Sequence, residues 1–117
     1  METFMKKLLF ISLLFIFVGC KSNAELSMER GIQYYEWEMI DEAILEFNTV
    51  IRELPENTHK LSNTELDLLT RAYHNISISY AKKGWFDMAS QSAENAFWYK
   101  PTAENRKTLN AIKEKMK

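Results

Sequence analysis

The stretch GIQYYEWEMIDEAILEFNTVIRELP, Gly31–Pro55, decides the fold. Ile40, Ala43, Ile44, Phe47, Val50, Ile51 and Leu54 recur at three- and four-residue steps, which makes one broad apolar face on a helix. Asp41 and Glu42 stand in its first turn, where the helix dipole favours anions, and Pro55 stops it because proline cannot continue a helix. The pattern then returns. Gly31, Tyr34, Ala43, Phe47 and Pro55 are echoed 46 residues later by Ser77, Tyr80, Ala89, Ala93 and Pro101. Gly31 and Ser77 are small, so a second helix can come close to the first, and Ala43 and Ala89 supply the matching small surface. Tyr34, Tyr80 and Phe47 fill the space around that contact. A helical hairpin of this kind cannot bury its apolar face alone, so the repeat predicts stacked hairpins and a binding scaffold.

Outward from the repeats, the rest also reads as helix. Ser62-Asn63-Thr64-Glu65 fits a capping box, in which the Ser hydroxyl and the Glu carboxylate each satisfy a free backbone N–H. A long helix over about 63–83 follows, with Leu66, Leu69, Tyr73, Ile76 and Tyr80 on one face and Gly84 placed as its C′ glycine. A loop falls near 56–61. The first two turns of this helix are expected to project beyond an ordinary hairpin. Leu66, Leu68 and Leu69 there either meet the end of the Ile40–Leu54 helix or contact another chain. In the next helix Phe86, Ala89, Ala93, Ala96 and Phe97 form the apolar line, and Phe97-Trp98-Tyr99 point around the axis, so at least one is partly exposed. Residues 102–117 read as a last helix, with Leu109, Ile112 and Met116 on its stripe and Lys107, Lys113, Lys115 and Lys117 on or near its polar face.

These residues resemble the tetratricopeptide repeat, W-x2-L-G-x2-Y, then A-x3-F, then P, over about 34 residues. The first copy reads Ser27-x2-Arg30-Gly31-x2-Tyr34, Ala43-x3-Phe47, Pro55; the second reads Tyr73-x2-Ile76-Ser77-x2-Tyr80, Ala89-x3-Ala93, Pro101. Arg30 departs from an expected Leu, and Glu38 takes the place that Gly84 holds in the second copy, so the first turn is less ideal. The resemblance implies an all-α fold over residues 24–117. It would comprise repeats at about 24–57 and 70–103 stacked as a short solenoid, a helical insert at 58–69 and a capping helix at 104–117. It also implies a concave groove for a protein or peptide partner. The groove positions would be Met28, Ile32, Tyr35 and Glu36 from the first copy, with Arg71, His74, Asn75, Ile78 and Lys82 from the second. Their mix of Ile, Met, Tyr and a few polar groups suits an apolar segment or amphipathic helix. Some members of the family clamp a C-terminal carboxylate with Lys and Asn; Met28 and Ile32 stand at those places here, which argues against a clamp.

The first twenty residues carry a different message. Lys6 and Lys7 precede Leu8–Val18, an apolar run broken only by Ser12, and the chain turns polar after Gly19-Cys20. The run is too short to span a bilayer and suits the apolar core of a signal peptide. This segment resembles a bacterial lipoprotein signal. It implies removal of residues 1–19, lipidation of Cys20 as the new N-terminus, a short linker at 20–23, and attachment to a membrane of the cell envelope. Two or three acyl chains anchor stably where one holds marginally. Cys20 is the only Cys of the chain, so no intrachain disulfide forms.

Charge and composition remove several classes. The formal charge of −1 gives no global drive toward nucleic acid. It is unevenly spread: residues 25–56 hold nine carboxylates and two Arg, whereas residues 57–117 hold six carboxylates and ten Lys and Arg. That asymmetry is compatible with head-to-tail self-association, or with solvated helix faces alone. His59 and His74 have no Cys or carboxylate partners at metal spacing, and no Gly-rich phosphate loop is present, so neither catalysis, a metal nor a cofactor is expected. The expectation is a lipid-anchored adaptor for a protein partner in the bacterial cell envelope. The alternative is a small stand-alone surface lipoprotein whose hairpins are only a compact or self-associating fold.

Overall fold

The computed structural model describes residues 21–117, together with residues 2, 3, 5 and 6. Cys20 and the apolar run Leu8–Val18 lie outside the described residues. Five α-helices fill most of the rest: α1 (Asn23–Glu36), α2 (Ile40–Glu53), α3 (Asn63–Lys82), α4 (Phe86–Tyr99) and α5 (Ala103–Lys115). No strand occurs among the described residues. One 3-10 turn, Thr58–Lys60, interrupts the link from α2 to α3; the Asn57 side chain starts it by accepting from the His59 N–H at 3.0 Å.

Three of the five helices start on a side-chain cap. Ser22 caps α1, accepting from Glu25 N–H at 3.2 Å. Ser62 and Glu65 close the expected capping box of α3, with both bonds at 3.1 Å. Thr102 caps α5 by accepting from Asn105 N–H at 3.1 Å.

The two hairpin turns are built alike. In the first, Met39 N–H donates to Tyr34 C=O at 2.9 Å and Glu38 N–H to Tyr35 C=O at 3.0 Å. In the second, Trp85 N–H donates to Tyr80 C=O and Gly84 N–H to Ala81 C=O, both at 3.0 Å. Every partner is displaced by the same 46 residues that separate the sequence copies. Both are Schellman closures, which need a left-handed residue at C′. Gly84 has φ 79° and Glu38 has φ 62°. Glycine adopts that conformation freely, whereas Glu38 carries a Cβ into it at a cost of about 1 kcal/mol. The replacement seen in the sequence therefore changes the strain of the turn and leaves its geometry intact.

The helices pack as successive neighbours, α1 on α2, α2 on α3, α3 on α4 and α4 on α5. Additional contacts join α1 to α3 and α3 to α5. This arrangement puts α1, α3 and α5 along one side and α2 and α4 along the other. Two clusters form the core. The larger joins the first hairpin to α3 through Met28, Ala43, Phe47, Val50, Leu54, Leu68, Leu69 and Ile76. The smaller joins α4 to α5 through Ala89, Ala93, Leu109 and Ile112, with Tyr80, Phe86 and Phe97 against it.

The helices approach closely at Gly31. A Cβ built there would lie 2.5 Å from Phe47 Cε1, so only glycine fits beneath that ring. The second hairpin fills the corresponding space differently: Ser77 replaces the glycine and Ala93 replaces the phenylalanine, and both are buried. The copies trade volume between the two positions, small with large in one and medium with small in the other.

The leucines in the first turns of α3 pack inward. Leu68 and Leu69 are buried in the larger cluster beside Leu54, and Leu66 is half-buried. The first turns of α3 thus fold back on the end of α2, which resolves the two expectations in favour of the internal contact for Leu68 and Leu69. Among the aromatics before Pro101, Trp98 faces solvent at 82% exposure. Phe97 packs on the smaller cluster, and Tyr99 stacks on Tyr73 with ring centroids 5.8 Å apart. Arg30, the departure from Leu, bridges α1 to α2. Its guanidinium donates to Glu46 at 3.2 Å and to the Ser27 hydroxyl at 3.1 Å. The hydrogen bond to Glu46, and then its charge, push the Arg30 pKa up from its ordinary value.

Candidate functional site

The side formed by α1, α3 and α5 carries most of the expected groove residues. Successive turns of α3 bring Arg71, His74, Asn75, Ile78 and Lys82 onto one face at three- and four-residue steps. From α1, Ile32 and Tyr35 face the same space. Ile32, Tyr35, Glu36, Asn75 and Ile78 line a cavity of about 300 Å³, with the Phe47 ring among its walls. Its surface is apolar apart from the Asn75 amide and the Glu36 carboxylate. A wider cavity of about 610 Å³ continues from Ile32 along Arg71, His74 and Asn75 toward Lys100 and Asn105. Together they make one groove between α1 and α3 that runs on past the start of α5.

Met28 is placed differently from the expectation. It is 2% exposed and belongs to the core, and it only borders a small cavity that Ile32 and Arg71 also line. Its sulfur accepts a weak hydrogen bond from Asn75 Nδ2 at 3.5 Å, which orients that amide. Lys82 is exposed at the far end of the groove. Its Nζ lies 2.7 Å from a Glu38 carboxylate oxygen and 5.1 Å from the Tyr35 ring centre. The Glu38 hydrogen bond raises the Lys82 pKa above its ordinary value, working against the smaller effect of desolvation.

A third space, of about 710 Å³, lies between α3 and α5. Ile78, Ala81, Phe86, Ala111 and Ile112 form its apolar walls, and His74, Glu104, Lys107 and Lys115 stand around them. Ile78 and His74 therefore separate this slot from the α1–α3 groove. His74 Nε2 is 4.0 Å from Glu104, whereas its Nδ1 is buried with no hydrogen-bond partner. Arg71, Lys107 and Lys115 have no carboxylate at ion-pair distance among the described residues, unlike Lys100, which is paired with Asp67. The arrangement offers apolar contact, one oriented amide, one imidazole and three uncompensated cations along about 100 degrees of helix surface or less on each element.

The α3–α5 slot was not legible from repeat positions. Its signal was the pair Lys107 and Lys115, which share a face with Ala111 and Ile112 but read first as a solvated stripe. Asn105 was missed as well. It is 7% exposed and donates through Nδ2 to Lys100 C=O at 2.9 Å, closing the end of α4.

Among the described residues no group of three or more His, Cys, Asp or Glu could hold a metal ion. No described helix is long and apolar enough to cross a membrane. No protein-family model matches the chain, and no curated protein matches it.

Proposed function

We propose that this chain is a tetratricopeptide-type adaptor, lipid-anchored through Cys20 in the bacterial cell envelope, whose α1–α3 groove holds an apolar segment or amphipathic helix of a protein partner. The observation that carries the binding part of this reading is the shared cavity of Ile32, Tyr35, Asn75 and Ile78. Three large apolar side chains from two hairpins meet there without being buried, and the core does not need their outer faces. The identical hydrogen-bond pattern of the two turns supports the repeat reading. The motif ending at Gly19-Cys20 supports the anchor.

Arg71 and His74 stand beside the apolar cavity and would fix the direction of a bound segment through its polar groups. The apolar contacts would supply affinity, since each half-buried Ile or Tyr loses its remaining water on binding.

The test compares capture of membrane proteins by the full chain and by its Tyr35→Ala and Ile78→Glu variants. Loss of the same stoichiometric partner from both variants, with unchanged helical content and melting, supports the groove. Retention by both refutes it. The anchor is tested separately by Cys20→Ala, which should abolish both the acyl mass and detergent-phase partitioning.

A further inference from the structure

The two hairpin turns lie at one end of the molecule, where α1 and α3 finish and α2 and α4 begin. Large apolar side chains cover that end. Trp37 is 61% exposed, Trp85 49%, Met88 45% and Met39 39%. They are held in place. Trp37 packs edge-on against Tyr34 at 6.2 Å, and Trp85 stacks on Tyr80 at 5.9 Å with Lys83 Nζ 4.4 Å from its ring centre. Ion pairs of Lys82 with Glu38 and of Lys83 with Asp41 tie one turn to the other. Around Trp37 and Met39 the charge is acidic: Glu36 and Glu42 are exposed and have no cation at ion-pair distance among the described residues. A fixed aromatic edge with uncompensated carboxylates is the anatomy of a docking surface, because its anchors lose little conformational freedom on binding.

The α3–α5 slot reaches the same end, where Ala81, Phe86 and Lys115 line it, and runs back along α5 to Lys107 and Glu104. Its walls are apolar, Lys107 and Lys115 are its uncompensated cations, and the exposed Glu104 beside His74 marks the end away from the turns. Lys107 and Lys115 are eight residues apart on α5, about 12 Å along the helix. Its volume of about 710 Å³ accommodates large side chains from outside.

We propose that the chain forms a twofold pair in which Trp37 and Met39 of each copy enter the α3–α5 slot of the other, with Glu36 and Glu42 facing Lys107 and Lys115. The occupant is a second copy because the edge carries the uncompensated carboxylates Glu36 and Glu42, the slot carries the uncompensated cations Lys107 and Lys115, and both reach the same end of one chain. A twofold rotation at that end brings each edge to the other copy's slot, so both contacts form at once and the assembly closes. The uneven charge along the sequence then has a physical use: the acidic first hairpin meets the basic α5. Glu36 also lines the α1–α3 groove, so the contact borders that groove at Glu36 and leaves Ile32 and Tyr35 outside it.

The test is cysteine crosslinking of the full chain in the cells that express it. Met39→Cys and Ala111→Cys are placed on separate copies and expressed together. The parent chain, whose single Cys20 sets the background, and a pair at the opposite end, Glu56→Cys with Asn63→Cys, serve as controls. A product of twice the monomer mass is expected only for the Met39→Cys/Ala111→Cys pair. Lys107→Glu combined with Lys115→Glu should lower it at least about fivefold, and adding Glu36→Lys and Glu42→Lys should restore it; opposed and re-paired rim charges act on association in this way. These are exposed positions, and unchanged helical content by circular dichroism verifies that the variants fold. Tyr35→Ala should leave the crosslink intact, which separates this contact from the α1–α3 groove. A yield no greater than the controls, or one indifferent to the charge reversals, overturns the proposal. So does an adduct of another mass, which would make the occupant a different protein.

Discussion

Gly31→Ala puts the packing account to its sharpest test, because two effects of opposite sign compete there. Alanine is the better helix former, and replacing an interior glycine should stabilise α1 by about 1 kcal/mol. Against this, the new Cβ would stand 2.5, 2.6 and 3.0 Å from Phe47 Cε1, Cδ1 and Cζ. Carbon atoms prefer about 3.5–4.0 Å, so the methyl intrudes by about an ångström. Phe47 is 1% exposed and enclosed by the core, so its ring has no solvent to turn into. Overpacking of this kind costs about 1–3 kcal/mol. The net expectation is a loss of about 1 kcal/mol, or about 4–8 °C in melting temperature for a domain of this size. Urea denaturation followed by circular dichroism measures it. Phe47→Leu supplies the second leg of a double-mutant cycle, since it removes the ring atoms that clash. It is preferable to Phe47→Ala, whose cost of about 3–5 kcal/mol approaches the whole stability of a small domain. In the Phe47→Leu background Gly31→Ala should turn neutral or stabilising, giving a coupling of about 1–3 kcal/mol. Stabilisation by Gly31→Ala in both backgrounds would refute the reasoning.

Four further outcomes follow from the same contacts. Glu38→Gly should raise the melting temperature by relieving the left-handed backbone, worth about 1 kcal/mol, whereas Glu38→Ala, which keeps that strain and loses Lys82, should not; thermal circular dichroism decides between them. Burial, and then neighbouring Tyr99, hold the Tyr73 pKa above its ordinary 10.0. Folding thus favours the neutral phenol. That stability is present below about pH 10 and is lost as pH rises through the folded value, so Tyr73→Phe should flatten the alkaline limb of urea stability. Tyr99→Ala should cost at least about 0.5–1.5 kcal/mol through the lost Tyr73 stack, while Trp98→Ala, next to it but exposed, should leave thermal unfolding unchanged. Ala89→Leu should overpack the α3–α4 contact by about 1–3 kcal/mol, and Glu94→Ala, which removes only an exposed pair with Lys113, should change urea stability little.

What the sequence determined by itself is local. The apolar period of Ile40–Leu54, the Ser62–Glu65 capping box, Gly84 and the two prolines set where helices begin and end, because each acts within a turn or two of its own position. The echo at 46 residues also carried over in full to the two turns, down to their hydrogen bonds, since a Schellman closure depends on neighbouring backbone groups. Even the departures were readable: Glu38 in place of glycine announced a strained turn. What only the tertiary structure decided is which apolar residues close on one another. For Leu68 and Leu69 the sequence left two partners open, the end of the Ile40–Leu54 helix or another chain, and packing beside Leu54 decides it because a period cannot give the direction of another helix's end. Met28 read as a groove residue by position, yet the Asn75 side and the first hairpin close over it. Trp98 and Tyr99 are adjacent in the chain, and the rotation of about 100 degrees between successive helical residues sends one into solvent and the other onto Tyr73. The α3–α5 slot and the aromatic edge exist only as juxtapositions of helix ends. Periodicity places a residue on a face of its own helix, and only packing decides what that face meets.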